Sequence, residues 1–161
     1  MAAPVESRHG GANVRVPPPL VFLVSMGAGV GLHWIVAPPP LPFSRAVGLA
    51  IGAALVAVAL GLIAWAFGLF KKSGQDPAPW KPVPSLLFDG PYRFTRNPMY
   101  VGMTTLQMGL GFLLGNLWVL LLAVASLMVV HYTAVLREEA FLDAKFGDDY
   151  RAFKRRVRRY L

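Results

Sequence analysis

The chain has no cysteine among its 161 residues, which excludes disulfides, cysteine-based zinc sites, thiol catalysis and palmitoyl anchors. Charge is scarce as well. Only 15% of residues are charged, where a soluble domain has roughly a quarter. The three histidines, His9, His33 and His131, have no zinc-ligand spacing, so no metal is expected. No serine sits in a G-x-S-x-G elbow. The glycine-rich stretch Gly27-Ala28-Gly29-Val30-Gly31 follows no strand and lies inside an apolar run. Like Gly48/Gly52 and Gly111/Gly115, it reads as a small-residue packing face instead of a phosphate loop.

Apolar residues fill the space left by charge. Hydrophobic types make up 55% of the chain and the mean hydropathy is positive, as for an integral membrane protein. The net charge of +8 is placed against nucleic-acid binding, because the basic residues flank apolar runs and form no face on a soluble module.

Leu20–Ala37 supplies eighteen apolar residues, near the roughly 20 needed to cross a bilayer core. A cleaved signal peptide is the competing reading, and Pro38-Pro39-Pro40 directly after Ala37 argues against it. Ala46–Phe70 is a second uncharged run, closed by Lys71-Lys72. Residues 73 to 91 form a proline-rich loop whose Trp80, Leu86, Leu87 and Phe88 imply that it packs against something. From Asn97 to Leu136 forty residues carry no formal charge apart from His131. As one helix they would extend about 60 Å, twice a bilayer core. The run must fold back, and Gly115-Asn116 is its turn signal. A third span is therefore predicted over Pro98–Leu114 and a fourth from Leu117 to about Val135.

The tail from Arg137 onward places Phe141, Leu142, Phe146, Tyr150, Phe153, Val157 and Tyr160 at spacings of mostly three and four, with basic residues on the opposite face. It reads as an amphipathic helix on an anionic membrane surface, interrupted at Gly147. With four spans, fifteen of the sixteen basic residues fall on one side of the membrane, and Arg45 alone on the other. By the positive-inside rule both termini are cytoplasmic. The expected class is an all-α integral membrane protein with about four transmembrane helices and a cytoplasmic amphipathic C-terminal helix. Residues 1–19 are expected as a flexible tail, 20–70 as two spans, and 71–161 as a region holding the motifs, a spanning hairpin and the tail helix.

Two clusters bracket the last apolar run. Before it stands the hinge Gly90-Pro91-Tyr92-Arg93-Phe94-Thr95-Arg96-Asn97-Pro98-Met99-Tyr100, and after it Arg137-Glu138-Glu139. Asn97 suits an N-cap and Pro98 the first helical position, but capping alone needs neither Tyr92, Arg93 nor Tyr100. Two adjacent carboxylates beside anionic lipid are unfavourable unless something cationic neutralises them. The hairpin brings Arg96, Asn97 and Tyr100 towards His131, Arg137, Glu138 and Glu139, an arrangement suited to a cationic small molecule. His131 and Gln107 are intramembrane or near-interface polar groups, readable as helix–helix hydrogen bonds or as pocket groups.

In this order, Gly90-Pro91-Tyr92, Arg96-Asn97-Pro98-Met99-Tyr100, Arg137-Glu138-Glu139 and Phe146-Gly147-Asp148-Asp149-Tyr150 resemble the isoprenylcysteine carboxyl methyltransferase family. The related membrane phospholipid methyltransferases share the carboxylate pair. The resemblance covers about residues 70 to 161. It implies a methyltransferase dependent on S-adenosyl-L-methionine, its cofactor site built from membrane helix ends and not from a Rossmann sheet. By that likeness Leu86, Leu87 and Tyr92 line the cofactor, with Arg96, Asn97, Pro98 and Tyr100 around it. Glu138 and Glu139 take its polar and cationic parts and, with Arg137, form the catalytic group, while the tail shields the site. The implied acceptor is a lipid-like or prenylated small molecule or protein reached from the bilayer, with carboxyl O-methylation favoured. A prokaryotic cell membrane is the expected location.

Family members often carry histidine where Asn97 stands, and eukaryotic members carry an arginine where this chain has Tyr132. The acceptor therefore stays open. Two other readings remain: a sterol-type membrane reductase using a nicotinamide cofactor, and a non-enzymatic scaffold with a lipid-binding basic tail.

Overall fold

The computed structural model describes residues 11–160. Six α-helices follow in order: α1 (Pro18–Ile35), α2 (Arg45–Ser73), α3 (Pro98–Leu114), α4 (Leu117–Val130), α5 (Leu136–Phe146) and α6 (Asp148–Arg156). A 3₁₀ turn covers Gly90–Arg93, and a π-helical segment, His131–Val135, joins α4 to α5 without a break. Local chemistry sets the ends. Ser44 accepts from the Val47 N–H at the start of α2, and Gly74 ends it in the left-handed conformation that glycine adopts at little cost. The expected turn closes α3 at Gly115, and the Asn116 side chain caps α4 through the Val119 N–H.

The first four helices form a bundle in which α1 pairs with α4 and α2 with α3. Large apolar side chains point outwards: Trp34 is 84% exposed, Ile35 80% and Val24 63%. The interior holds small and polar residues such as Gly52, Ala59, Gln107 and Ser126. That inversion is what lipid contact requires, because hydrocarbon gives outward apolar groups no reason to hide. Three helical stretches, Pro18–Ile35, Arg45–Ser73 and Leu117–Phe146, are long and apolar enough to cross a membrane. With α3 at 17 residues, its length of about 26 Å falls slightly short of a bilayer core.

Among the three glycine pairs, Gly52 of Gly48/Gly52 and Gly111 of Gly111/Gly115 lie at close helix contacts, the Cβ position of Gly111 standing 2.7 Å from the Leu120 side chain of α4. A Cβ at Gly52 would stand 2.8 Å from the Gly109 carbonyl oxygen, and one at Gly109 would stand 3.1 Å from that of Gly52. Gly27 and Gly31 face open space, while Gly29 between them packs on Val119. Gly115 serves the turn. Overpacking such a contact costs about 1–3 kcal/mol. Gly52→Val is therefore expected to lower the thermal midpoint of the detergent-solubilised protein, and an unchanged midpoint would remove this account of α2–α3 packing.

The buried polar groups also stitch helices. Ser25 of α1 donates to Gln107 of α3 at 3.1 Å, and Gln107 donates to the Val119 carbonyl of α4 at 3.3 Å. Gln107 is thus a helix–helix link.

Three expected features are corrected. Within residues 11–17, expected in a flexible tail, Ala12 and Val14 are buried in a cluster with Phe22, Tyr100, Val130 and Phe141, while Asn13, Arg15, Val16 and Pro17 are exposed. Residues 1–10 of that expected tail lie outside the described residues. The fourth helix does not stop near Val135 but runs on to Phe146, so the Arg137-Glu138-Glu139 cluster lies inside a continuous helix. The tail breaks at Gly147 as expected, but its helix ends at Arg156 and the chain continues extended, pairing with the hinge through a Thr95–Arg158 bridge.

Candidate active site

A cavity of about 320 Å³ opens where the hinge meets α5, within the range of roughly 300–1,000 Å³ usual for small-molecule sites. Its walls come from the proline-rich loop, the hinge, the start of α3, α5 and α6. Leu86, Leu87, Tyr92, Arg96, Asn97, Pro98, Tyr100, Glu138 and Glu139 all line it. Periodicity could not foresee the wall supplied by Ala12, Pro18 and Pro19 from the amino-terminal side. The tail contributes Tyr150 and Phe153, which the apolar spacing of α6 had marked as a buried face.

The two carboxylates stand in different surroundings. Glu138 Oε1 accepts from the Tyr100 hydroxyl, linking α5 to α3. Among the described residues it pairs with no lysine or arginine. Glu139 is held by two arginines. Arg159 binds it bidentately, Nε to Oε1 at 2.9 Å and Nη2 to Oε2 at 2.8 Å, and Arg96 Nη1 lies 3.2 Å from Oε1. The wider π turn before α5 inserts a residue into the helix and resets which face turns inward. It thereby sets where these two side chains point.

Arg96 is the least satisfied group in the site. Its side chain is 10% exposed, and neither Nε nor Nη1 has a hydrogen-bond partner. The approach to Glu139 therefore has ion-pair distance without hydrogen-bond alignment. A buried donor left in this state is costly, about 1–3 kcal/mol, and more for a charged group. Burial raises the Tyr92 phenol above its ordinary value, with the Glu138 charge as a second cause. Tyr150 is pushed up to about 12 by burial and then by the Glu139 charge, partly offset by the nearby Arg96 guanidinium. Both phenols thus stay neutral and offer hydroxyls to the cavity.

Three expected roles have a different geometry. Asn97 caps nothing with its side chain; its amide donates to the Arg159 carbonyl at 3.0 Å. Arg137 lies outside the cavity lining and donates to the Asn13 carbonyl at 2.8 Å, because one residue along a helix turns the side chain by about 100°. His131 also lies off the cavity, with Nδ1 2.8 Å from the Tyr160 hydroxyl. Among the described residues no cluster of histidine, aspartate and glutamate could hold a metal.

Lipid-facing helices that end at a largely apolar cavity with two carboxylates and an arginine in its wall mark an integral membrane protein. Its sequence goes further: residues 47–149, more than half the chain, match the phospholipid methyltransferase family, and the chain belongs to that family. A Protein-S-isoprenylcysteine O-methyltransferase of Schizosaccharomyces pombe is 36% identical over 72 residues, 45% of this chain and 30% of that protein. An uncharacterised protein of Haemophilus influenzae is 35% identical over 63 residues, 39% of this chain and all of that protein. No solved structure matches the chain. The chain is thus a membrane methyltransferase of the phospholipid methyltransferase family.

Proposed function

We propose that the protein is an S-adenosyl-L-methionine-dependent methyltransferase acting on a lipid-like or prenylated acceptor, with carboxyl O-methylation favoured. One observation carries the reading. The cavity holds a carboxylate, Glu138, with no cationic partner among the described residues, and a buried guanidinium, Arg96, whose Nε and Nη1 have no hydrogen-bond partner although Nη1 lies at ion-pair distance from Glu139. That pair is complementary to an amino-acid group, which presents an ammonium and a carboxylate together. The donor carries such a group, and its sulfonium supplies an activated methyl. Leu86, Leu87, Tyr92 and Phe153 give the cavity an apolar and aromatic side suited to a nucleoside base.

The chain's own part in methyl transfer is positioning and exclusion of water. Glu138 would orient the cationic end of the donor, with the Tyr100 hydroxyl fixing the carboxylate. Arg96 would orient the opposite end. Met103, Phe141 and Leu142 keep the far side of the cavity apolar, as a lipid-like acceptor entering sideways from the bilayer requires. A carboxylate acceptor needs no general base, whereas an amine acceptor would need one, and Glu138 is placed for it.

The same reading takes α3 as a fourth span, paired with α4, with both termini cytoplasmic in a prokaryotic cell membrane. Fifteen of sixteen basic residues then share one face.

Calorimetry on the detergent-solubilised chain tests the donor. S-adenosylhomocysteine is expected to bind and NADPH is not. Binding of NADPH alone would favour the reductase, and binding of neither would favour the scaffold.

A further inference from the structure

The last described residues tie the hinge to the helix that follows α4. After α6 the chain is extended, and three successive residues bind the hinge and the π turn. The Arg158 carbonyl accepts the Arg96 N–H at 2.9 Å. The Arg159 carbonyl accepts from Thr95 Oγ1 and Asn97 Nδ2, each at 3.0 Å. The Tyr160 hydroxyl meets His131 Nδ1 at 2.8 Å. Backbone pairing thus fixes residue 159 against the hinge, while its side chain chelates Glu139 from α5. One residue holds both walls together.

Electrostatics gives this clasp a consequence. Glu139 stands between Arg96 and Arg159, and Arg159 takes both of its oxygens in hydrogen-bond geometry. Bidentate pairing is the strongest arrangement open to a carboxylate and an arginine. Arg96 stays at ion-pair distance from the same carboxylate through Nη1, but neither Nε nor Nη1 has a hydrogen-bond partner. Without Arg159, the charge of Glu139 would draw the Arg96 guanidinium from this loose approach into a hydrogen-bonded pair. Those two donors would then no longer be available to the cavity.

We propose that Arg159 is a positioning residue: by chelating Glu139 it keeps Arg96 Nε and Nη1 out of a hydrogen-bonded pair with that carboxylate, preserving an anion-recognising guanidinium beside Glu138. The inference rests on the donor reading above and assigns the carboxylate pair two roles. Glu138 meets the ligand's cation, and Glu139 is an anchor for the tail.

The test compares two probes on the full chain in detergent. S-adenosylhomocysteine carries the amino-acid group, and 5′-methylthioadenosine lacks it. Arg159→Met keeps the carbonyl that binds Thr95 and Asn97, and is expected to weaken S-adenosylhomocysteine about tenfold. 5′-Methylthioadenosine should bind as to the wild type, which a general loosening of the tail would not allow. Arg159→Lys, a point charge without the planar fork, is expected to recover the affinity only in part. In a Glu139→Gln background, Arg159→Met should cost nothing further, since no anion remains to capture Arg96.

Equal loss for both probes, equal loss in both backgrounds, or no loss at all would overturn the clasp. If Arg159→Met yields no folded protein, Glu139→Gln alone decides. S-adenosylhomocysteine affinity kept within about threefold supports the proposal, and a loss as large as that of Glu138→Gln overturns it. A wild-type chain that binds neither probe overturns the donor reading itself. Wild-type binding with Arg159→Met unaffected overturns only the clasp.

Discussion

Glu138→Gln is expected to weaken S-adenosylhomocysteine binding about a hundredfold, or ~2.7 kcal/mol, while the thermal midpoint holds. The amide is nearly isosteric with the carboxylate, and its oxygen can still accept from the Tyr100 hydroxyl that links α5 to α3. Only the charge is removed. Glu138 pairs with no lysine or arginine among the described residues, so no internal partner is left exposed by the change. The whole loss therefore falls on a cationic ligand. Calorimetry with the wild type and the variant, alongside a thermal melt, separates loss of affinity from loss of fold. Affinity unchanged in a folded variant would remove Glu138 from the site. Glu139→Gln is the internal control, with a loss within about threefold, because its charge is already answered by Arg159.

Arg96→Met is expected to act in the opposite directions on function and stability. S-adenosylhomocysteine should bind about thirtyfold more weakly, or ~2 kcal/mol, the range of a hydrogen bond to a charged group. 5′-Methylthioadenosine should be unaffected, because it has no carboxylate for Arg96 to meet. The thermal midpoint is expected to hold or rise. The wild-type guanidinium is buried with Nε and Nη1 lacking hydrogen-bond partners and Nη1 only at ion-pair distance from Glu139, and methionine of similar length removes that penalty while keeping the packing. Glu139 keeps its bidentate partner. A site that stores an unsatisfied charge for its ligand gains stability when the charge is deleted and loses affinity. A variant that loses stability and binds both probes less well would show that Arg96 is structural.

Sequence pattern determined the elements built from local rules. Apolar run length gave α1 and α2, since a bilayer core admits only helices of sufficient length. Forty uncharged residues with a single turn signal gave the α3–α4 hairpin, because glycine and asparagine at Gly115-Asn116 supply the left-handed residue and the next cap. The hairpin in turn brings the hinge to the carboxylate pair, and the ordered motifs carried the family. The same local rules did not distinguish Glu138 from Arg137, one residue apart on α5. The π turn at His131–Val135 resets the helical phase, and no periodicity announces it.

Tertiary structure alone decided the rest. Arg159 and Glu139 are twenty residues apart and meet because an extended segment after α6 returns to the hinge. An extended return has no repeat to read; its partners are chosen by backbone groups that the hinge leaves unpaired. Asn97 shows the outcome. The sequence offered it as a helix cap, but in the fold its amide is bound to the Arg159 carbonyl. Residues 11–17 likewise read as a tail, being short, polar and without period, yet Ala12 and Val14 fill a gap beside Tyr100 and Phe141. Local pattern fixes what forms along the chain at short range. Which carboxylate stays without a cation, and which arginine is held by hydrogen bonds and which only by charge, depends on charges brought together from distant segments, and only the folded chain sets those distances.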